Sequence, residues 1–191
     1  RNVRLEFPPE VLEEARAYDN ATIDQAEAAH RMDLRAIPIF TIDSAETKDI
    51  DDAISLQKLD DGYELGVHIA DVSHYVRPGS ALNEEAFERA TSIYYADKVI
   101  PMLPTQLSNG ICSLNPQEDR FAFSCLMRLD EQGNILGYNF VKSVIRSRVK
   151  GVYKEINALL EPPESETDAD LTDLKTKYEA VLDQLPTMDE L

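Results

Sequence analysis

The sequence predicts an α+β fold, a mixed and mainly antiparallel sheet flanked by helices. Three features carry that expectation. Two pairs of alternating apolar segments are joined by tight-turn residues, the first thirty or so residues read as helical, and an apolar stripe at helical period lies near the end of the chain.

Taken in order, Pro8 and Pro9 suit the first turn of a helix through Tyr18, where a missing N–H has no partner to lose. Thr22, Ile23, Asp24 and Gln25 read as a capping box opening a second helix toward Met32. From Ile37 the pattern turns to short strands over 39–42, 53–57 and 63–70, with Asp60, Asp61 and Gly62 supplying hairpin chemistry between the last two. In 63–70, Tyr63, Leu65, Val67 and Ile69 share one face, opposite Gly66, His68 and Ala70. Asn83, Glu84 and Glu85 start a helix predicted to reach about Ile93, with Phe87, Ala90 and Thr91 at core spacing. After a proline-rich loop, residues 120–129 alternate with Phe121, Phe123, Cys125 and Met127 on one side, and a turn at 130–134 returns the chain as a long strand over 135–148. Beyond Gly151 the chain is helical; Leu171, Leu174, Tyr178, Val181 and Leu185 form a stripe that Pro186 ends. The acidic stretch 161–170 reads as a solvated linker. Three parts follow: a helical leading segment at 1–33, a sheet-bearing part at 34–161, and an acidic linker with an amphipathic helix at 162–191.

A length of 191 residues with 43% hydrophobic content suffices for a sizeable core. No apolar run approaches the ~20 residues that span a bilayer, and no signal-peptide pattern opens the chain, so a soluble cytoplasmic protein without a membrane partner is expected. Cys112 and Cys125 lack the spacing of a zinc site or a disulfide framework. The net charge of −17 argues against a nucleic-acid partner, which calls for a basic footprint. Most of the excess, however, lies in two end segments, around 6–27 and 161–191, so whole-chain charge is a weak veto. The chain opens on Arg1 and closes soon after the turn at Pro186, and reads as a piece of a longer protein.

The densest chemistry is a run with aspartates at 43, 49, 51 and 52, between two predicted strands. Carboxylates about 4 Å apart repel by about 1 kcal/mol in water and by several times more near a protein surface, so a partly buried cluster needs protons or cations. A hard dication such as magnesium takes oxygen ligands and bridges to phosphates, the arrangement of two-metal phosphodiester cleavage. Most acidic loops between strands are simply solvated, and composition alone favours that reading. An EF-hand is excluded, because its glycine and its alternation after the first aspartate are missing.

The run Phe40, Thr41, Ile42, Asp43 through Asp49, Ile50, Asp51, Asp52, Ala53 resembles the signature of the RNB domain of the ribonuclease II and ribonuclease R family, and is closer to the ribonuclease R branch. Three further blocks agree in order and spacing, beginning at Val67-His68-Ile69-Ala70-Asp71, at Thr91-Ser92-Ile93-Tyr94, and at Val99-Ile100-Pro101-Met102 running to Asn115-Pro116. The likeness covers about residues 34–161, which would then be the N-terminal part of an RNB catalytic domain. It implies a 3′-to-5′ exoribonuclease that hydrolyses single-stranded RNA to 5′-nucleoside monophosphates with magnesium, manganese being a possible substitute.

By the same resemblance, Asp43, Asp49, Asp51 and Asp52 form the catalytic metal site. Asp43 and Asp52 are the direct ligands, Asp51 is the carboxylate most needed for cleavage, and Asp49 supports the cluster. Tyr94 matches a tyrosine that packs on the 3′-terminal nucleotide, with adjacent Tyr95 as the alternative register, and Tyr153 matches a tyrosine near the RNA path. Simple alternation puts Tyr138, Phe140, Lys142, Val144, Arg146, Arg148 and Lys150 on one strand face; of these, Lys142, Arg146 and Arg148 are candidate RNA contacts. A solvated strand face fits the same pattern. Structural roles are expected for His68 and His74. A complete RNB domain is longer, its later half supplying an arginine-containing motif and a glutamate, and family members carry OB-fold RNA-binding domains elsewhere in the chain. Two other readings stay open: an RNB domain that binds RNA without cutting it, and an acidic structural or interaction domain.

Overall fold

The computed structural model describes residues 4–95, 98–163 and 167–191. Helix α1 (Pro9–Ala15) carries Pro9 in its first turn, and α2 (Gln25–Ala28) is a single turn. Strands β1 (Met32–Asp33), β2 (Ile39–Asp43), β3 (Asp52–Leu59) and β4 (Gly62–Ala70) follow, then α3 (Val72–Tyr75) and α4 (Ala81–Arg89). A small hairpin, β5 (Ile93–Tyr95) and β6 (Lys98–Ile100), precedes a π-helical turn at Gln106–Ile111. The chain closes with β7 (Asp119–Leu129), β8 (Ile135–Val152), α5 (Tyr153–Leu160), α6 (Asp168–Lys177) and α7 (Leu185–Glu190).

Several local expectations are corrected. Asp24, not Thr22, caps α2 by accepting from the Ala26 N–H at 2.8 Å, and by Met32 the chain is already a strand paired parallel to β8. Helix α4 stops at Arg89 because Ala90 adopts a left-handed conformation (φ 66°). Its buried face is Leu82, Glu85 and Ala86, whereas Phe87 is 82% exposed. The sequence pattern misleads here because a buried charge replaces an apolar one: Glu85 is paired with Arg89 at 2.9 Å and Arg4 at 2.6 Å, and the Arg89 guanidinium lies 3.8 Å from the Phe7 ring centre. At the other end of the chain, Pro186 lies in the first turn of α7 instead of ending a helix, since a proline there sacrifices no helical hydrogen bond. The end of the acidic stretch is not linker either, for Thr167 and Asp170 cap each other reciprocally to start α6; residues 164–166 lie outside the described residues.

The main sheet runs β1-β8-β2-β3-β4-β7, and β7 pairs in turn with β8, so β2, β3, β4, β7 and β8 close into a ring. Strand β8, 18 residues long, makes this possible: its first part is antiparallel to β7 and its last part parallel to β2. Two glycines permit close approaches. A Cβ on Gly151 would lie 2.3 Å from the Thr41 carbonyl oxygen across the parallel pairing, and one on Gly66 would overlap the His68 ring at 2.6 Å. The weakest seam lies between β2 and β3, which share the single residue pair Phe40 and Ile54. Gln184 bridges that seam, accepting from the Leu56 N–H at 2.6 Å and donating to the Pro38 carbonyl at 2.8 Å.

Outside the ring, Phe121 and Val144 pack beneath α1, α4 and the π-helical turn, while Phe40 packs with Tyr178, Val181 and Leu185 of the C-terminal helices. Arg31, buried against Phe121 with its guanidinium 4.1 Å from the ring centre, pairs with buried Asp71 at 2.8 Å and lies 3.3 Å from His74 Nδ1. Between these two covered regions Ile69, Phe123, Tyr138 and Phe140 remain exposed.

The inner face carries an apolar cluster with Ile39, Ala53, Ala122, Leu126 and Ile145, and beside it a small polar chain. His68, 0% exposed, lies between Ser55 Oγ (Nε2, 3.1 Å) and Ser124 Oγ (Nδ1, 2.7 Å); Ser124 meets Ser143 at 2.7 Å, and Ser143 donates to the Ala122 carbonyl at 3.2 Å. One direction satisfies every member: Ser55 donates to Nε2, Nδ1–H to Ser124, Ser124 to Ser143, Ser143 to the carbonyl. Both histidines thus occupy structural positions. Burial pulls the His68 pKa down from 6.5 to about 4. Unfolded, the imidazole takes up a proton below about pH 6.5, which the folded chain resists, so this group's stabilisation is present above 6.5 and is lost as pH falls toward 4, by roughly 3 kcal/mol in full. In urea unfolding at pH 7 and pH 4.5, His68→Gln should therefore lose clearly less stability on acidification than the wild type; equal losses would refute the assignment.

Candidate active site

Asp43 ends β2, Asp52 begins β3, and Asp49 and Asp51 lie on the connection between them. That connection is fastened from both sides. Ile50 is buried with Ala53, Ala70, Leu114, Ala122 and Ile145; its N–H donates to Ser113 Oγ at 3.1 Å and its carbonyl accepts from the Leu114 N–H at 2.9 Å. Ser113 Oγ also donates to the Lys48 carbonyl at 2.8 Å, and the Ala70 N–H donates to the Asp51 carbonyl at 2.9 Å. With Ile50 drawn into the core, the aspartates on either side of it are left at the surface, beside the two strand ends that carry Asp43 and Asp52.

Burial first, and crowding second, shift the acidities. Desolvation, followed by the Asp52 charge, raises the pKa of Asp43; desolvation, then Asp49, Asp52 and Asp43, raises that of Asp51. Lys150 opposes the effect at Asp43, and its Nζ donates to the carbonyls of Ala45 (2.8 Å) and Thr47 (2.5 Å), clamping the loop. The Tyr94 hydroxyl donates to Asp49, and this bond first of all pushes the Tyr94 pKa up to about 12. The donor set is all hard oxygen, which suits magnesium or manganese. Among the described residues no three His, Cys, Asp or Glu side chains converge as a closed ligand group. Magnesium does not need one, since it commonly binds through one or two carboxylates, waters and substrate phosphates.

The other candidate residues divide. Tyr94 and Tyr153 are 65% and 59% exposed, Tyr153 directly following Val152, the β8 partner of Asp43. Tyr95 makes no bond to the aspartates; it lines an apolar groove with Leu5, Ile93 and Val99. Lys142 is exposed, while Arg146 is paired with Asp119 at 2.6 Å and Arg148 donates to the carbonyls of Arg35 (2.8 Å) and Ala36 (3.2 Å). Val144 interrupts the stripe, buried under the helical layer.

The RNB domain family matches residues 31–191 of this chain. The chain belongs to the RNB-domain family. Ribonuclease R of Thermotoga maritima is 52% identical over 161 residues, which is 84% of this chain and 22% of that protein. Ribonuclease R 1 of Lactococcus lactis is 42% identical over 187 residues, again 22% of its length, so the chain spans about a fifth of these relatives. Mycoplasma genitalium RNase R in complex with ribose methylated single-stranded RNA matches with a TM-score of 0.79 at 32% identity, over 98% of this chain and 29% of that one. Yeast Ssd1, a pseudonuclease, shares the fold (TM-score 0.68, 18% identity, 84% of this chain and 20% of that one), so the RNB fold alone does not carry activity.

Two supports of this RNB site escape sequence reasoning, Ser113 and the Lys150 clamp, because their partners are main-chain atoms 65 and more than 100 residues away in the chain. Lys150→Met should speed amide hydrogen exchange over residues 44–48 while leaving the His68 strand protected. Unchanged exchange in the loop would show that the clamp contributes nothing.

Proposed function

We propose that this chain forms the front of the catalytic domain of a cytoplasmic, magnesium-dependent 3′-to-5′ exoribonuclease that degrades single-stranded RNA to 5′-nucleoside monophosphates. The observation that carries the reading is the set of four aspartates at the facing ends of β2 and β3 and on the connection between them, in an RNB domain whose relatives are ribonucleases R. RNA as substrate is supported by the related RNase R captured with single-stranded and with double-stranded RNA. Among the described residues no helix is long and apolar enough to cross a membrane. The remaining active-site groups, and the OB-fold domains that would offset the charge of −17, belong to the greater length of such enzymes.

In this reading Asp43 and Asp52 hold the dication, Asp49 supports them, and Asp51 acts at the reacting phosphate. Bound there, magnesium would neutralise charge on that phosphate and acidify an attacking water. Tyr94 and Tyr153 offer exposed rings on which bases of any identity can stack, each stack being worth about 1–3 kcal/mol. Exposed Lys142 attracts the backbone without reading sequence, and the charges of Arg146 and Arg148 add to the field.

Metal binding is tested by calorimetry with manganese. Asp43→Asn/Asp52→Asn should weaken affinity by more than about tenfold, and equal affinity in a folded double variant would sink the metal assignment. In a full-length ribonuclease R containing this sequence, Asp51→Asn should abolish cleavage with RNA affinity nearly unchanged, because it removes a charge used in the transition state and not in docking. Near-normal turnover would exclude Asp51 from the chemistry.

A further inference from the structure

Among the described residues the β5–β6 hairpin forms a two-stranded sheet of its own, separate from the ring. Its base is nevertheless held: the Met102 N–H donates to Ser92 Oγ at 3.0 Å, and Arg89 donates to the Pro101 carbonyl at 3.2 Å. From this anchored base Tyr94 reaches across to Asp49 Oδ2. The backbone around Asp49 is immobilised at the Lys48 carbonyl and the Ile50 N–H, both on Ser113. Among the described residues, the Tyr94 hydroxyl is the side-chain partner that the Asp49 carboxylate has. This bond engages one of its two oxygens, Oδ2.

We infer that Tyr94 is a positioning residue whose hydroxyl, separately from its ring, sets the Asp49 carboxylate for the dication. The inference rests on the metal reading proposed above. A tyrosine hydroxyl has one hydrogen to donate, and donating it to a carboxylate fixes the carboxylate's rotamer without removing its charge. Partners of this kind commonly govern metal affinity by about 10–100-fold when deleted. The ring and the hydroxyl therefore serve different ends: the ring offers a stacking surface for a terminal base, and the hydroxyl orders the carboxylate that supports the metal site. Because both belong to one residue, placing the RNA end and ordering the metal site become linked through the hairpin.

Substitutions separate the two. By calorimetry or manganese paramagnetic resonance on the chain, Tyr94→Phe should bind manganese about tenfold more weakly, and Tyr94→Ala to a similar extent. In an Asp49→Asn background, Tyr94→Phe should have no further effect, since the coupled partner is gone. In a full-length ribonuclease R containing this sequence, end-labelled RNA should give the wild-type final product with Tyr94→Phe and a longer one with Tyr94→Ala. Wild-type manganese affinity in Tyr94→Phe, or an undiminished loss in the Asp49→Asn background, overturns the inference. If Asp43→Asn/Asp52→Asn also leaves affinity unchanged, the metal reading falls with it; if that double variant loses the metal and Tyr94→Phe does not, the role of the hydroxyl alone is rejected.

Discussion

Closure of the sheet by β8 is the constraint from which the rest follows. A strand of 18 residues is long enough to lie antiparallel to β7 along one stretch and parallel to β2 along another, and so to shut a ring that hairpins alone would leave open. The parallel contact sets Asp43 opposite Val152, and α5 begins at the next residue, exposed Tyr153. Gly151 is required at this contact because the backbones approach too closely for any side chain. The inner face of the ring is divided: Ile39, Leu126 and Ile145 pack with Ala53 and Ala122, while Ser55, Gly66, Ser124 and Ser143 surround one imidazole. Neutral His68 fits because its two nitrogens are both satisfied by hydroxyls, so no buried polar atom of that chain is left to desolvate without compensation.

The acidic site is held against its own repulsion by the same scaffold. Four carboxylates on a free loop would spread apart; here Ile50 anchors the middle of the loop in the core, Ser113 fastens the backbone, and Lys150 clamps the outer turn. The fold thus holds the carboxylates in place, and burial, with the neighbouring charges second, raises the pKa of Asp43 and Asp51. Such a site is poised to gain from a cation, since neutralisation relieves a stress that packing alone imposes.

The two layers outside the ring differ in kind. On one side lie two buried ion pairs, Arg31 with Asp71, which ties the leading segment to the end of β4, and Arg89 with Glu85 within α4, each cation also lying on an aromatic ring. On the other, α5 to α7 pack by ordinary apolar contact around Tyr178, and Gln184 closes the seam that β2 and β3 leave. Pairs of this sort cost desolvation and are tolerated where every charge is matched.

By itself the sequence determined the fold class, the two hairpins, the core stripe of Tyr178, Val181 and Leu185, and the motif that joins Asp43 to Asp52. These are local signals: alternation, turn residues and spacing act over a few residues and survive reading without a partner. What the tertiary structure alone decided depends on residues far apart. The face that α4 buries was unreadable because Glu85 is neutralised by Arg4 from 81 residues away. The basic stripe looked uniform, yet Arg146 and Arg148 are occupied by Asp119 and by the carbonyls of Arg35 and Ala36, and Val144 is covered by helices. Ring closure, the Lys150 clamp and the Tyr94 to Asp49 bond likewise have no sequence signature, because a hydrogen bond to a distant group places no demand on the residues beside the donor.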